Sequence, residues 1–163
     1  MPHCLLRVNA RVETVATKAS FREPFRRRRC LILVDAFYEW PRRGTRREKE
    51  PYVIRRADEA PLVLAGLWDV WRRREEVIMT CAIITTEANA LVRTIPHDRM
   101  PVILEPPEFD AWLDPSTPLD QVQAMLAPAP DGVLTMWRVS TRVNTGAHDD
   151  PPRWESLEMG SAD

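Results

Sequence analysis

The sequence has no long hydrophobic run, and no apolar stretch in its 163 residues approaches the roughly 20 residues that a membrane-spanning helix needs. Its first residues, MPHCLLRVNAR, do not combine a basic segment with an apolar core and a small-residue cleavage site. We therefore expect a soluble, cytoplasmic protein without a membrane partner. An apolar content of 44% and six tryptophans argue against disorder and favour a folded core.

Cysteine is also scarce, with Cys4, Cys30 and Cys81 forming an odd set without CxxC spacing. This pattern argues against a disulfide framework and against a zinc site. The three histidines are equally scattered, and the sequence has no GxxxxGK[ST], GxGxxG or GxSxG motif. We therefore expect no metal, no cofactor, no nucleotide-phosphate loop and no serine-hydrolase elbow.

The net charge of −1 hides an uneven distribution of charge. Residues 1–75 carry a balance of +8 and residues 76–163 a balance of −9. The basic groups are nearly all arginine and cluster within 26–29, 42–47 and 72–74. Arginine matches phosphate geometry, so the clusters fit an anionic partner, but an ordinary solvated face explains them equally well.

The stretch Arg29–Trp40, RCLILVDAFYEW, organises the rest of the chain. Its apolar residues Leu31–Val34 predict a short buried strand. Glu39 then follows within a run of aromatic residues. Its carboxylate either points to solvent on an alternating strand or lies in a partly apolar pocket, where desolvation favours the protonated form and suits it to proton transfer.

Strand patterns outnumber helix patterns along the chain. Strands are predicted at 4–9, 30–40, 52–56, 62–67, 76–86 and 133–139, and helices at 87–92, 106–113 and 119–126. We expect 30–40 and 52–56 to form a hairpin, Thr85–Thr86 to cap the first helix, and Trp68 and Trp71 to fill the core. Hairpin-length connections predict an α+β fold with a mainly antiparallel sheet, in the form of a partly open barrel with short helices.

Two prolines, at positions 96 and 101, flank the sequence that contains His97 and Arg99. Proline fixes the backbone in extended or turn geometry and takes this segment out of any helix. His97 is then either a structural hydrogen-bonding residue or part of a functional site, and the sequence supports the two interpretations equally.

Seven short segments occur in a specific order. They are NARVET at 9–14, RRCLI with DAFYEW within 28–40, PYVI at 51–54, LAGLWD at 64–69, TTEAN at 85–89, HDRMPVIL at 97–104 and VSTRVN at 139–144. This set resembles the SOS-response-associated peptidase (SRAP) family. The resemblance implies a compact mixed α/β fold that recognises abasic sites in single-stranded DNA. It also implies a covalent thiazolidine link made by an N-terminal cysteine, whose exposure by self-maturation accounts for the peptidase name.

The resemblance assigns roles to five residues of this chain. It implies that Glu39 is a general acid/base for sugar-ring opening and imine formation, and that His97 assists the same steps. Asn9 is expected to hydrogen-bond near the sugar or the N-terminal residue. Arg11 and Arg99 are expected to hold phosphates, which fits the salt-dependent binding of single strands.

The chain departs from the family at its beginning, since members start Met-Cys-Gly-Arg and run through a longer segment before the NAR motif. We therefore expect this chain to lack the family's N-terminal third and its nucleophile, because Cys4 has no α-amine. A truncated gene product, a degenerate paralogue that retains DNA binding, and a short active form that uses the amine of Pro2 all remain open. Whether the chain is an enzyme is open for the same reason.

Two other functional hypotheses compete with abasic-site chemistry. One is a non-catalytic module that binds single-stranded DNA, and the other is a cysteine hydrolase that pairs Cys30 or Cys81 with His97.

We expect one domain over 1–155 and a frayed tail over 156–163. A monomer is expected, with self-association through an exposed strand edge as the alternative.

Overall fold

The computed structural model describes residues 8–41, 50–73 and 76–145. The strands are β1 (Asn9–Arg11), β2 (Arg29–Val34), β3 (Phe37–Glu39), β4 (Tyr52–Arg56), β5 (Leu62–Arg73), β6 (Glu76–Glu87), β7 (Arg99–Pro101) and β8 (Leu134–Arg138). The α-helices are α1 (Arg22–Arg27), α2 (Ala90–Arg93), α3 (Phe109–Leu113) and α4 (Leu119–Ala124), and 3₁₀ turns span Pro106–Glu108 and Thr141–Asn144. These elements form two compact units.

The first unit contains described residues within 1–33, 63–87 and 100–128. Its sheet has the order β1-β6-β5-β2, with β7 also paired to β6. The long strands β5 and β6 are antiparallel, with Gly66 opposite Ile83 and Arg73 opposite Glu76. Their β-branched and aromatic composition explains why both were predictable as strands. β1, by contrast, runs parallel to β6.

The predicted strand at 4–9 lies mostly outside the described residues. The NAR motif itself forms β1, although the sequence predicted that the strand would end there. Ala10 is completely buried, whereas Asn9 and Arg11 are exposed. This alternation is the expected pattern of a strand with one face against a core.

The stretch at 30–40, predicted as one arm of a hairpin, is divided by the structure into β2 and β3. The break falls at Asp35, a residue type that is depleted in strands. The hairpin prediction is confirmed for β3, which pairs antiparallel with β4. The buried strand predicted at Leu31–Val34 is wrong in its burial, since β2 ends the sheet order and Leu33 is 69% exposed.

The core of the first unit is filled by a different tryptophan from the two that the sequence predicted. Trp112 on α3 is completely buried and packs near Phe25, with the ring centroids 6.4 Å apart. Trp68 is half-buried and Trp71 is 38% exposed. Trp71 lies opposite Ile78, which is also exposed, so this part of the β5–β6 hairpin extends past the buried cluster.

Arg29 is a structural residue, not an exposed member of the basic cluster. Its side chain is buried, and its guanidinium donates hydrogen bonds to the main-chain carbonyls of Phe25, Arg26, Trp112 and Asp114. These carbonyls lie at the C-terminal ends of α1 and α3, where the helices leave their last carbonyls unsatisfied. One side chain therefore ties two helix ends together.

The second unit contains described residues within 34–62, 88–99 and 129–145. Its three-stranded antiparallel sheet has the order β3-β4-β8. Tyr52 lies in the middle strand, opposite Glu39 on one side and Arg138 on the other. α2 contacts β8. The prediction of mainly antiparallel sheets with short helices is thus confirmed, and among the described strands neither sheet closes into a barrel.

The start of α2 differs from the prediction. β6 continues through Glu87, so Thr85 and Thr86 are strand residues and do not cap the helix. The cap is Asn89, whose side chain accepts a hydrogen bond from the Val92 amide. Within the described part of the chain, no helix combines the length and the apolarity that crossing a membrane would need.

Candidate functional site

Glu39 and His97 form a close pair in the second unit. Glu39 is the last residue of β3, and its Oε2 lies 3.1 Å from Nε2 of His97. The side chains are 19% and 16% exposed, respectively. Glu39 is therefore not a solvated strand residue, and the structure favours the enclosed-site interpretation of the sequence. The structure also pairs His97 with the carboxylate that the sequence had singled out.

The second ring nitrogen of His97 determines how many protons this pair holds. Nδ1 lies 2.9 Å from the main-chain oxygen of Arg99, and a carbonyl oxygen can only accept a hydrogen bond. Nδ1 therefore carries a hydrogen, and Nε2 faces Glu39. A hydrogen bond at 3.1 Å then requires one proton between Nε2 and Oε2, either as carboxylic acid and neutral imidazole or as carboxylate and imidazolium. This arrangement can accept and return a proton at one defined point.

The loop that carries the histidine is held at both ends. Asn89 accepts from the amide of Val92 at 3.1 Å and donates from Nδ2 to the carbonyl of Ala129 at 3.1 Å. The carbonyl of Asp98 accepts from the amide of Ala88 at 3.0 Å. Sequence reasoning assigned no role to Asn89, although an asparagine directly before a short helix is a strong N-cap signal.

Replacement of Asn89 by alanine is expected to lower the free energy of unfolding by roughly 2 kcal/mol. The loss combines a missing helix cap with a buried Ala129 carbonyl that has lost its donor. Urea denaturation of Asn89→Ala and Asn89→Asp measures the two parts, because aspartate keeps the acceptor for Val92 and loses only the donor. Equal stability of the alanine variant and the wild type would contradict this role.

Asn9 and Arg11 lie in the first unit, on β1. They are opposite Ile83 and Thr85 of β6, and the two side chains share the exposed face of the sheet. The predicted site residues therefore fall into two groups. Glu39, His97 and the main chain of Arg99 are together in the second unit, while Asn9 and Arg11 are neighbours on one strand of the first.

Of the two cysteines in the described residues, Cys30 is half-buried and has the character of a packing group, whereas Cys81 is exposed. Burial raises the pKa of the Cys30 thiol, and the nearby Cys81 adds to the rise. A methyl group built on Gly66 would lie only 2.8 Å from Cys30 Sγ, so the glycine makes room for this thiol. A raised pKa lowers the thiolate fraction on which nucleophilic attack depends, which argues against Cys30 as the nucleophile of a hydrolase. Cys4 lies outside the described residues.

No group of three or more potential metal ligands occurs in segments 8–41, 50–73 and 76–145. The described part of the site is thus an acid–base pair at the end of a small antiparallel sheet, within an α+β protein.

The chain belongs to the SOS response associated peptidase (SRAP) family, whose sequence profile matches residues 3–146. This finding confirms the resemblance that the ordered motifs predicted.

Several relatives show how far the similarity extends. Abasic site processing protein YoqW of Bacillus subtilis is 39% identical over 151 residues, covering 91% of this chain and 66% of that protein. Abasic site processing protein HMCES of Gallus gallus is 33% identical over 175 residues, covering 93% of this chain and 51% of that protein. A crystal structure of a protein from Bacteroides thetaiotaomicron is 31% identical with a TM-score of 0.82, covering 91% of this chain and 65% of the other. The chain thus spans about two thirds or less of these proteins.

Proposed function

We propose that this protein recognises abasic sites in single-stranded DNA and transfers protons at the sugar of the damaged nucleotide. The observation that carries the proposal is the Glu39–His97 pair, with its 3.1 Å separation and its fixed Nδ1 hydrogen. Membership of a family with members named abasic site processing proteins supports this substrate class.

The chemistry of an abasic sugar explains why such a pair is useful. The closed sugar is a hemiacetal, and opening it to the aldehyde removes a proton from the anomeric hydroxyl and delivers one to the ring oxygen. An amine that then attacks the aldehyde gives a carbinolamine, which loses hydroxide as water only if a proton donor is available. The Glu39–His97 pair holds a single mobile proton and can serve each of these transfers in turn.

The arginines and the asparagine supply the proposed contacts to DNA. Arg11 is exposed on β1, and its guanidinium matches the geometry of a phosphate. Asn9 lies on the same face and carries both amide donor and acceptor groups. Arg99 follows the histidine loop and is half-buried. Its main-chain oxygen contacts Nδ1 of His97, and its guanidinium is the group proposed to hold a phosphate beside the acid–base pair.

In the family, the proposed end point is a covalent thiazolidine between an N-terminal cysteine and the sugar aldehyde. For this chain, we separate that capture step from ring opening, because the two can be measured independently. A fluorescent single strand with one abasic site, titrated beside an undamaged strand, measures recognition. Borohydride trapping followed by a denaturing gel measures imine formation by any amine of the protein.

The ring-opening step is tested with an alkoxyamine that captures only the free aldehyde. Under conditions where ring opening limits capture, the protein is expected to accelerate the labelling of abasic single strands. Preferential binding with this acceleration supports the proposal. Equal binding of damaged and undamaged strands without acceleration would overturn it and would favour a non-catalytic single-strand-binding module.

Replacing Arg11 or Arg99 by alanine is expected to weaken binding and to flatten its salt dependence. Each lost phosphate contact should reduce the slope of log K against log salt concentration by about 0.7, the value for single strands. Anisotropy titrations at several salt concentrations measure this slope. Arg56→Ala is the matched control, because its guanidinium is already paired with Asp58 at 3.0 Å. An unchanged slope for both variants would remove these arginines from the phosphate contacts.

A further inference from the structure

The segment Val139–Asn144, here called the strap, crosses the end of the sheet that carries Glu39. We propose that the strap positions the Glu39 carboxylate through the hydrogen bond between Trp40 and Asn144. The relevance to catalysis rests on the proposed function, but the positioning itself can be measured without DNA. Trp40 and Asn144 are positioning residues in this proposal, because they act through Glu39.

The path of the strap is defined by hydrogen bonds at the start of β4 and at the end of β3. It leaves β8, and the amide of Val139 donates to the carbonyl of Pro51, directly before β4, at 3.0 Å. The Ser140 hydroxyl then accepts from the amide of Arg142 at the start of the 3₁₀ turn. At the end of that turn, Asn144 Oδ1 accepts from the indole nitrogen that follows β3. The strap therefore ties the end of β3 to the start of β4 and the end of β8.

Glu39 is sensitive to this contact because it is the last residue of β3. Its pairing with Tyr52 is the final pair of the β3–β4 ladder, so regular strand pairing does not extend to Trp40. The indole is instead held by the 2.6 Å hydrogen bond to Asn144 and by the ring of Tyr38, 6.2 Å between centroids. Tyr38 and Trp40, the residues on either side of Glu39, thus pack against each other.

This restraint bears directly on the acid–base pair. A side chain at the end of a strand gains rotational freedom when the following residue is released. The Glu39 carboxylate must stay within hydrogen-bond reach of Nε2, and small displacements at a reacting group have large effects on rate. Loss of the indole hydrogen bond is therefore expected to loosen the Glu39–His97 contact while the sheet remains folded.

The test compares Trp40→Phe, Asn144→Ala and the double variant with the wild type. Phenylalanine keeps an aromatic ring but loses the indole donor together with part of the ring, whereas alanine removes the acceptor. Each single variant is expected to shift the ¹⁵N imidazole resonances of His97, assigned through a His97→Asn variant, in the absence of DNA. The double variant is expected to match the single variants, because each removes the same hydrogen bond.

Two further variants separate positioning from general structure. Asn144→Asp keeps an acceptor oxygen for the indole and is expected to restore the wild-type resonances. Trp71→Phe, at a partly exposed site on the β5–β6 hairpin, is expected to leave them unchanged. In the alkoxyamine assay, Trp40→Phe and Asn144→Ala should each lose about 3-fold to 10-fold of the ring-opening rate, the effect of one modest hydrogen bond.

The outcomes distinguish this proposal from the proposed function. If the variants shift the His97 resonances but the wild-type protein does not open abasic sugars, the positioning is supported and only the proposed function is refuted. Unchanged His97 resonances in both single variants overturn the positioning, whatever the activity. Additive effects in the double variant also overturn it, because they would mean that Trp40 and Asn144 act independently.

Discussion

The Arg29→Met variant is expected to lose about 3–4 kcal/mol of unfolding free energy relative to the wild type. Its guanidinium satisfies four main-chain carbonyls at the ends of α1 and α3, and methionine can satisfy none of them. Each buried carbonyl that loses its donor costs roughly 1–3 kcal/mol of unfolding free energy. Methionine also avoids the desolvation penalty of a buried guanidinium, and this offsets part of the total cost. Urea denaturation, checked for two-state behaviour, measures the difference.

Arg27→Met is the matched control, because Arg27 lies in the same run of four arginines but is exposed. Its stability is expected to remain within about 0.5 kcal/mol of the wild type. Arg29→Lys should recover little of the loss, since a single ammonium cannot reach carbonyls on two helices with the geometry of a guanidinium fork. Similar stabilities for Arg27→Met and Arg29→Met would show that the carbonyls find other partners.

Arg29 also shows why charge clusters are ambiguous in a sequence. The run of arginines at 26–29 fits both a phosphate-binding patch and a solvated face, yet its last member serves neither. Its role depends on Trp112 and Asp114, which are brought close only by the fold. Local composition contains no information about which helix ends will converge, so this role was not predictable.

The extent of the strands was predictable where composition dominates. β6 is rich in β-branched residues and was predicted within one residue of its observed bounds. The division of the stretch at 30–40 into β2 and β3 was not predicted, because both halves favour strands and their separate sheets are set by tertiary pairing. Burial of Trp112 in place of Trp71 likewise depends on tertiary packing, because Trp71 lies on the part of the β5–β6 hairpin that extends past the buried cluster.

The candidate site was partly visible in the sequence. Glu39 among aromatics and His97 between prolines both stood out as residues, and their family motifs assigned them related roles. Their direct contact and the Nδ1 hydrogen bond to Arg99 depend on how a loop folds against the end of β3, which spacing does not encode. Asn89 and Asn144 were quoted only within motifs, and the structure gives each a specific hydrogen-bond partner.

Replacement of Glu39 by glutamine is expected to reduce the acceleration of abasic-sugar opening by about 100-fold to 1,000-fold, the range for loss of a general acid–base group. Glutamine can keep the contact with His97, because its amide N–H can donate to the lone pair of Nε2 while Nδ1 stays bonded to the Arg99 carbonyl. The geometry is thus preserved and only the transferable proton is lost. The alkoxyamine assay on an abasic single strand measures the effect.

The control for this prediction is Glu50→Gln, which removes an exposed carboxylate paired with Arg138 at 3.0 Å in the same unit. It is expected to keep the wild-type rate, and both variants should bind abasic DNA with affinities within about 3-fold of the wild type. A Glu39→Gln variant with full acceleration would assign the proton transfer to His97 alone. Because Nδ1 of His97 is held by a main-chain carbonyl, Nε2 would then be the nitrogen that exchanges protons with the sugar. A His97→Asn variant would in that case have to abolish the acceleration.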